Sequence, residues 1–550
     1  MDQLIAGRKA WWVIGALAAL AALAGVFTLQ PLDRDEARYA QATAQMLETG
    51  NFVDIRFQDD PRNKKPVGIY WMQALSAGLL SDADARQIWA YRIPSVIGAI
   101  LAALGCFWAG TRLMSREAAF AAAAMLAVSA MMATEGGIAK TDAMVVGLTT
   151  MAMAALVQLR YGAGWRTALA FWAMMGLGVL VKGPVTPMIA GLTIAGLVVW
   201  ERRIDWLKPL LFWPGPALAA LIVLPWFVAI QISTDGAFLR DAFNGDLAPK
   251  LVSGAESHGA WPGYHLMLLS LTSLPIIYFL VPGLRKLADD VRDSDTEAGR
   301  AARFLFAWII PAWLAFEILP TKLPHYVLPI YPALALVAGL GWQYLSEIPP
   351  WTRYASLVFG FFGAVLFGAL MIFSVSNYGG DRVIGLAAAG IFGVLSLGAI
   401  VEILRERRAS ALMLVVVSAL GGHVLLRGVA IPSAPHLDLS QRMAEAAADL
   451  QTAQGVQAAL IVSSYTEPSL VFATGTDTRL VEFRDLGTQI EGAVGVVLSI
   501  EDTARSGSDF AVFEQVEMNV CARREVSGVN YSRGEETVLI VRLHNCEQEG

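Results

Sequence analysis

Residues 11–40 read WWVIGALAALAALAGVFTLQPLDRDEARYA, an apolar run that ends in a dense cluster of charges. A helix needs about 20 apolar residues to cross the hydrocarbon core of a bilayer, and residues 11–30 meet that length. Arg8 and Lys9 precede the run, as in a secretory signal peptide, but the apolar part of a signal peptide has only about 7–15 residues. We therefore expect an uncleaved first span with its N-terminus in the cytoplasm.

The composition indicates that most of the chain lies in a membrane. Of the 550 residues, 56% are hydrophobic and 16% are charged, whereas soluble domains carry about 25% charged residues. This excludes an ordinary cytosolic enzyme, and a net charge of −6 provides no basic field for nucleic acid. We expect an α-helical polytopic membrane protein with about thirteen spans. The predicted spans are residues 11–30, 92–112, 117–135, 142–160, 165–181, 184–200, 209–231, 263–282, 303–319, 325–344, 355–375, 383–404 and 410–428.

Positive residues recur in every second connection between these spans, and they predict the orientation. Lys and Arg accumulate in cytoplasmic loops, so these connections and the N-terminus are placed inside, and an odd number of spans puts the tail outside. Residues 431–550 carry 8 Arg and no Lys against 18 Asp and Glu, a net charge of −10. A predicted helix at about 438–453 and the β-like runs QAALIVSS, RLVEFRD, VGVVLSI and ETVLIVRL indicate a small α/β domain.

The predicted organisation is a transmembrane catalytic domain, residues 1–430, and a soluble periplasmic α/β domain, residues 431–550. Two long outside loops, 31–91 and 232–262, are expected to carry function, because loops on a rigid scaffold usually do. The sequence contains no Walker A, GxSxG, HExxH or GxGxxG motif.

The three cysteines constrain the chemistry little. Cys106 lies inside an apolar run and is interpreted as core. Cys521 and Cys546 lie in the tail and would suit a disulfide in an oxidising compartment, but sequence does not give the separation that a disulfide needs. The pairing therefore stays open. Without a Cys/His cluster, a structural zinc site is not expected.

The charge cluster DRDEARY, which begins at Asp33, predicts the start of an amphipathic helix outside the first span. Asp33 suits the N-cap and Glu36 the third helical position, which explains these two residues without any function. Asp35, Arg38 and Tyr39 would share one face of that helix through spacings of three and four residues. A helix start does not explain so many charges at a membrane surface, and we favour a functional role for this face.

The segment RNKKPVGIYW in the same loop allows two interpretations. In one it is an interfacial anchor, with snorkelling lysines and with Tyr70 at headgroup level. In the other, Lys64 and Lys65 bind a phosphate just before Pro66, a residue typical of a first helical turn. Cations at a helix start oppose the helix dipole unless an anion is bound, and together with Arg38 they would suit a lipid phosphate.

Three shorter motifs lie at predicted outer ends of spans. KTDA contains Asp142, which suits either an N-cap or a functional acid. KGPV contains Lys182 in a tight turn, where Gly-Pro needs no further explanation but the lysine does. TKLPHYVLP contains Lys322, His325 and Tyr326, which would add donors to the same outer cavity, although its prolines also suit a helix kink.

The order of these motifs resembles a known family. A DRDEARYA loop after the first span is followed by KKPVGIYW, KTDA, KGPV, PWFVAI and KLPHYVLPIYPALAL, and then by a small soluble tail. This is similar to the bacterial aminoarabinose-transferase family, which modifies lipid A and belongs to the C-type glycosyltransferases, relatives of the protein O-mannosyltransferases. The resemblance implies their fold and an inverting transfer of a sugar from a polyprenyl phosphate to an acceptor outside the inner membrane.

The resemblance also implies roles for individual residues. Asp35 matches the essential acid of the family's first outside loop, and Asp142 matches a second acid in a neighbouring loop. Arg38, Lys65 and Tyr326 match positions that hold the phosphate of the carrier lipid.

Weaker binding candidates and one departure complete the site. The weaker candidates are Lys64, Tyr70, Lys182, Lys322 and His258. Lys250 and His258 fall where family members carry basic residues before a His-x-x-Pro-like stretch, with looser spacing here. Lys64 replaces an acid that can hold a metal in the aminoarabinose enzymes, so we expect no cofactor, and a more anionic donor or acceptor, such as a uronic acid, becomes plausible.

We therefore expect an inner-membrane glycosyltransferase that acts on the periplasmic side, as a monomer. Its partners would be a polyprenyl-phosphate sugar, lipid A or a similar envelope glycolipid, and membrane lipids, but no nucleic acid. Two alternatives stay open: a protein O-glycosyltransferase, and a transporter or flippase of lipid-linked sugars. A transporter would place charges near the middle of its spans, whereas here they gather at span ends.

Overall fold

Helices form along the apolar runs, because a helix satisfies its backbone hydrogen bonds internally. The computed structural model describes residues 7–82, 85–249, 259–293, 295–455, 460–490, 497–501, 516–518 and 520–544. Up to residue 250 the helices are α1 (Lys9–Leu23), α2 (Arg34–Thr49), α3 (Gly68–Leu80), α4 (Ile88–Leu113), α5 (Arg116–Ala127), α6 (Ala130–Gly136), α7 (Asp142–Arg160), α8 (Trp165–Lys182), α9 (Val185–Glu201), α10 (Pro214–Ser233) and α11 (Ala237–Asp241). Between residues 259 and 430 they are α12 (Tyr264–Thr272), α13 (Ile277–Asp290), α14 (Glu297–Ile318), α15 (Tyr331–Gln343), α16 (Pro350–Ser376), α17 (Arg382–Leu404) and α18 (Arg408–His423).

Each of the thirteen predicted runs contains a helix, but fewer helices pass a test of length and composition. Seven helices of the described residues are long and apolar enough to cross a membrane, and nine candidates result if each of two bent pairs counts as one span. Three further apolar helices are shorter than 18 residues. The number of spans therefore stays a prediction.

The first helix is shorter than the predicted span. It ends at Leu23, because Gly25 adopts a left-handed φ of +79° that stops the helix. The residues that follow are not part of the helix. Their carbonyls at Val26 and Leu29 accept hydrogen bonds from Arg92.

Two predicted spans are broken helices. The axes of α5 and α6 differ by 57°, and those of α12 and α13 by 120°. The two breaks are in contact: the N–H of Ala130, at the start of α6, donates to the carbonyl of Leu274, between α12 and α13, at 2.8 Å. The first break turns α6 so that its last turn, with Glu135, ends beside the first outside segment.

Small residues bring α4 and α7 into close contact. A Cβ atom on Gly98 would lie 2.5 Å from the backbone of Ala143 and Met144, and one on Gly147 would lie 2.5 Å from the Gly98 carbonyl. Glycine thus permits backbone contact at this crossing. The crossing fixes the start of α7, where Asp142 lies.

The segment between α1 and α4, predicted to lie outside and called the first outside segment, consists of α2, a hairpin of β1 (Arg56–Phe57) and β2 (Asp60–Pro61), and α3. Asp33 caps α2 as predicted and accepts from the backbone N–H groups of Asp35 and Glu36. Pro66, however, does not open a helical turn, since α3 begins at Gly68. A Cβ atom on Gly68 would lie 2.7 Å from the Leu180 carbonyl, so the glycine packs α3 directly against α8.

The tail forms a five-stranded mixed sheet with helices α19 (Leu439–Ala453), α20 (Pro468–Thr474) and α21 (Leu486–Ile490). Its strands are β3 (Leu460–Val462), β4 (Arg479–Leu480), β5 (Val497–Glu501), β6 (Val520–Asn530) and β7 (Glu535–His544), in the order β4-β3-β5-β7-β6. Each predicted β-like run contains a strand. Strand β6 was not predicted, because it is an edge strand whose exposed face carries charges (CARREVSG). Cys521 takes part in a disulfide bond, and Cys546 lies outside the described residues.

Candidate active site

A cavity of about 360 Å³ lies where the start of α7 and the end of α8 meet the first outside segment and the chain after α14. Its lining combines charged and apolar residues, so the cavity is amphipathic. The charged lining residues are Asp35, Lys64, Lys65, Lys140, Asp142 and Lys182. The apolar lining includes Val145, Val146, Phe227, Phe238, Leu239, Phe243, Phe316 and Leu319.

Asp35 reaches the cavity from the first turn of α2 and is surrounded by cations. Its Oδ1 lies 3.4 Å from Arg38 Nη1 and 3.9 Å from Arg62 Nη2. Burial opposes ionisation of Asp35, but the charges of Arg62, Lys140 and Arg38 outweigh it and hold the pKa of the carboxyl below its usual value. Asp35 is therefore a stable carboxylate at neutral pH and a weak base.

Lys140 connects the cavity to the cap of α2. Its Nζ lies 3.1 Å from Asp33 Oδ2 and 3.4 Å from Glu135 Oε2, and the side chain is buried. Burial would lower the pKa of Lys140, but Glu135 and Asp33 raise it well above the usual value. Lys140 is thus a permanent cation held by two carboxylates.

Asp142 lies at the other end of the same short loop. It forms an ion pair with Lys182, and its Oδ1 lies 3.5 Å from His325 Nε2, while His325 Nδ1 lies 3.6 Å from Glu135 Oε1. Burial lowers the pKa of His325 to about 3, although Asp142 opposes this shift. The imidazole is therefore neutral and lies between the buried carboxyl groups of Asp142 and Glu135. Thr141, and not Asp142, occupies the N-cap position of α7.

Glu36 has a structural role that its position in the sequence does not reveal. Its carboxylate binds the Arg92 guanidinium with two contacts, 2.7 Å to Nε and 3.0 Å to Nη2, and both residues are buried. Its Oε1 also accepts the Ala139 N–H at 2.8 Å. Glu36 occupies the third position of α2 as predicted, but its side chain crosses to α4 and the Lys140 loop.

Arg62 contacts two tyrosines next to the cavity. Its Nε donates to the Tyr70 hydroxyl at 3.1 Å, and its guanidinium lies 5.1 Å from the centre of the Tyr39 ring. Tyr39 lines the cavity, but Tyr70 lies fully buried behind it. Tyr70 therefore supports Arg62 and does not reach the cavity.

The structure brings eight of the predicted residues to one cavity: Asp35, Tyr39, Lys64, Lys65, Asp142, Lys182, His325 and Tyr326. Lys182 Nζ lies 5.7 Å from the centre of the Tyr326 ring, within range of a cation–π interaction. The backbone before α3 is tied to the second long loop, since Asn63 Nδ2 donates to Asp241 Oδ2 at 3.0 Å. This bond holds the Lys64–Lys65 segment against α11.

The remaining candidates lie elsewhere. Arg38 contacts Asp35 but does not line the cavity. Lys322 is buried, and its Nζ donates to the carbonyls of Ala260 and Leu319 at 2.9 and 2.6 Å, so it closes the loop and does not reach the cavity. Lys250 and His258 lie outside the described residues.

Sequence reasoning missed Arg62, Glu135 and Arg92, and gave Lys140 no role. Glu135 and Arg92 could have been recognised from the sequence, because an ionisable residue inside an apolar run needs a partner. Arg62 carries no such signal, since it lies in a polar loop. Among the described residues, no group of three or more His, Cys, Asp or Glu is arranged to hold a metal.

Solved structures of other proteins share this fold. ArnT from Cupriavidus metallidurans bound to undecaprenyl phosphate superposes with a TM-score of 0.75 and 18% identity, over 97% of this chain and 98% of that one. The Archaeoglobus fulgidus oligosaccharyltransferase superposes with a TM-score of 0.53 and 11% identity, over 87% and 64%. At these identities the likeness shows the fold alone, which is the C-type glycosyltransferase fold.

Sequence comparison identifies the proteins that this chain resembles. The family described as dolichyl-phosphate-mannose-protein mannosyltransferase matches residues 64–228. The undecaprenyl phosphate-alpha-4-amino-4-deoxy-L-arabinose arabinosyl transferase of Erwinia tasmaniensis is 28% identical over 309 residues, 55% of this chain and 54% of that protein. The enzyme of the same name from Aeromonas salmonicida is 28% identical over 367 residues, 64% of each chain. The matches confirm the resemblance that the motifs predicted, although the chain spans about half the length of the first relative.

Proposed function

We propose that this chain is an inverting glycosyltransferase that moves a sugar from a polyprenyl phosphate to lipid A or a similar envelope glycolipid. The reaction takes place on the periplasmic side of the bacterial inner membrane, where the acidic tail also lies. The observation that carries the proposal is the amphipathic cavity, because a polyprenyl-phosphate sugar itself has a charged head and an apolar chain. A cavity of about 360 Å³ is also within the ~300–1,000 Å³ that is usual for ligand sites.

The lysines would bind the phosphate of the donor. When the bond between the anomeric carbon and the phosphate oxygen breaks, negative charge develops on the leaving polyprenyl phosphate. Lys65 and Lys182 line the cavity and can stabilise that charge as fixed cations. Tyr326 and Asp142 hold Lys182, while Lys64 lies beside Lys65 and suits an additional anionic group on the donor or the acceptor.

Asp35 would orient the acceptor. Its pKa is lowered by the surrounding cations, so it accepts protons poorly and instead offers a fixed carboxylate opposite the leaving group. An acceptor that is already an oxyanion, such as a phosphate, needs little base catalysis, and orientation then dominates. Arg38 acts through Asp35, since it contacts that carboxylate and lies outside the cavity lining.

Attack from the face opposite the leaving phosphate gives inversion at the anomeric carbon. The electron pair of the attacking acceptor oxygen forms the new bond, and the pair of the broken bond leaves with the phosphate. A protein O-glycosyltransferase would use the same donor and differ in the acceptor. A flippase would move the donor without breaking this bond, so product analysis separates the two classes.

The test is transfer by purified protein from a synthetic polyprenyl-phosphate sugar to lipid A, with the product identified by mass spectrometry. We expect Lys65→Ala to lower turnover by about a hundredfold or more, the scale of one lost charge-stabilising donor. Lys208→Ala is the matched control, because this exposed lysine pairs only with Asp205 in the contacts seen. A donor that is moved across vesicles but never cleaved would refute the proposal and favour the flippase.

A further inference from the structure

Helix α2 lies between the cavity and the tail domain. With 100° per residue, Asp35 and Tyr39 point to the cavity side, and Gln41 and Glu48, seven residues apart, share a different face. The second face contacts the loop after α20 in the tail domain, at Thr476. The helix that carries Asp35 is therefore held by a domain that does not line the cavity.

The Thr476 hydroxyl is fully used by the first outside loop. Its oxygen accepts from Gln41 Nε2 at 2.8 Å and from Arg86 Nη2 at 2.9 Å, and its O–H donates to Glu48 Oε2 at 2.6 Å. A hydroxyl has one donor and two acceptor sites, so every site is occupied by a residue of α2 or of the chain that follows α3. A surface threonine that merely faced another domain would not have this set of partners.

Arg86 completes the junction from the side of α4. It donates to Gln41 Oε1 at 2.6 Å and to the Phe472 carbonyl at 3.1 Å, and it forms an ion pair with Glu48. Its side chain is 10% exposed. The same guanidinium thus connects the segment before α4 to both α2 and the tail domain.

We propose that Thr476 and Arg86 are positioning residues for Asp35, and that the tail domain thereby takes part in catalysis. This inference rests on the proposed function. Anchors on the two faces of α2 prevent it from rotating about its axis: Glu36 is held by Arg92 on one side and Gln41 by Thr476 on another. At the ~5–6 Å radius of a helical side chain, a rotation of about 10° moves the Asp35 carboxylate by about 1 Å.

A 1 Å shift of the Asp35 carboxylate is large enough to slow the reaction. A misplacement of about 1 Å can lower a rate by about a hundredfold. The lysines that would bind the donor phosphate lie on other elements, before α3 and at the end of α8. Loss of the junction should therefore slow the chemical step and leave donor binding nearly unchanged.

The experiment compares Thr476→Val, Thr476→Ser and Thr452→Val in the full-length protein. Valine keeps the shape of threonine and removes the hydroxyl, while serine keeps the hydroxyl. Thr452→Val is the matched control, because this exposed threonine of α19 donates only within its own helix, to the Ala448 carbonyl. The readouts are kcat and KM for the donor, and amide hydrogen exchange of residues 34–49.

We expect Thr476→Val to lower kcat by about tenfold to a hundredfold, to change KM less than about twofold, and to speed exchange in α2. Thr476→Ser and Thr452→Val should behave as the wild type. Unchanged kcat and unchanged exchange in Thr476→Val would overturn the inference, and so would an equal fall in kcat for valine and serine. If the wild type transfers no sugar, the proposed function fails, and hydrogen exchange still decides whether Thr476 fixes α2.

Discussion

Replacing Glu36 with Gln tests whether the buried ion pair holds the first outside segment in place. The substitution keeps the size of the side chain and one acceptor oxygen, but turns an amide NH₂ toward the Arg92 guanidinium. Arg92 would then keep the carbonyls of Val26, Leu29 and Gln30, at 2.9, 2.6 and 3.2 Å, as its acceptors. The charge of Arg92 would remain buried without its counter-ion.

The expected loss of stability follows from the burial of Glu36 and Arg92. Both residues are 2% exposed, and removal of one partner from a buried pair costs about 3–5 kcal/mol, because an uncompensated charge remains. The exposed pair of Glu482 and Arg484 is the control, with a shorter contact of 2.6 Å but with side chains 69% and 75% exposed. We expect Glu482→Gln to change the free energy of unfolding by no more than about 1 kcal/mol.

The assay is a double-mutant cycle by denaturant unfolding of purified protein in mixed micelles. Glu36→Gln and Arg92→Gln should each destabilise the protein by about 3–5 kcal/mol, whereas the double variant should lose much less than the sum, since no charge is then left unpaired. A cost below about 1 kcal/mol for both single variants, or strict additivity in the double variant, would refute this reasoning.

Three further outcomes are expected. Asp35→Asn should lower transfer by about a hundredfold or more at normal expression, whereas Asp33→Asn, which keeps the cap oxygen, should lose less; equal losses measured by initial rate would contradict this. His325 is neutral in the folded protein, so the folded state is destabilised as the pH falls below about 6.5. Between pH 7 and 5.5 the stability advantage of wild type over His325→Asn should shrink by about 1.2 kcal/mol, and an advantage independent of pH would count against a buried neutral imidazole. A reporter fused after Gly550 should be active only outside the cytoplasm.

The helices could be predicted from sequence because their signal is local. Each apolar run contains its own reason to be helical, and the cap at Asp33 is set by residues within three positions of it. The end of α1 was harder to predict from sequence, because it depends on the left-handed backbone at Gly25, five residues before the predicted boundary at residue 30. Strand β6 was missed for a related reason, since an edge strand with one exposed face does not show a continuous apolar run.

Partners that are distant in sequence could not be predicted. Arg92 and Glu36 lie 56 positions apart, and Lys182 and Asp142 lie 40 apart. Their motifs indicated that Lys182 and Asp142 were candidate site residues, but not that the two bind each other. For Lys322 the prediction was wrong: its motif suggested a cavity donor, but its Nζ donates to two backbone carbonyls, Ala260 and Leu319, and fixes a loop.

The buried charges of the site share one arrangement that explains how irregular chain can form a precise cavity. Asp33 pairs with Lys140, Glu36 with Arg92, and Asp142 with Lys182, and each pair joins two different segments. Each charge is therefore held by a partner on another element and not by its own helix. Such pairs add little net stability, but they specify which segments meet, so Asp35 and Lys182 are already oriented before a substrate enters. Preoriented charges do not have to reorganise as the phosphate leaves. We therefore expect that removing one member of a pair slows the reaction by more than the small loss of folding stability would predict.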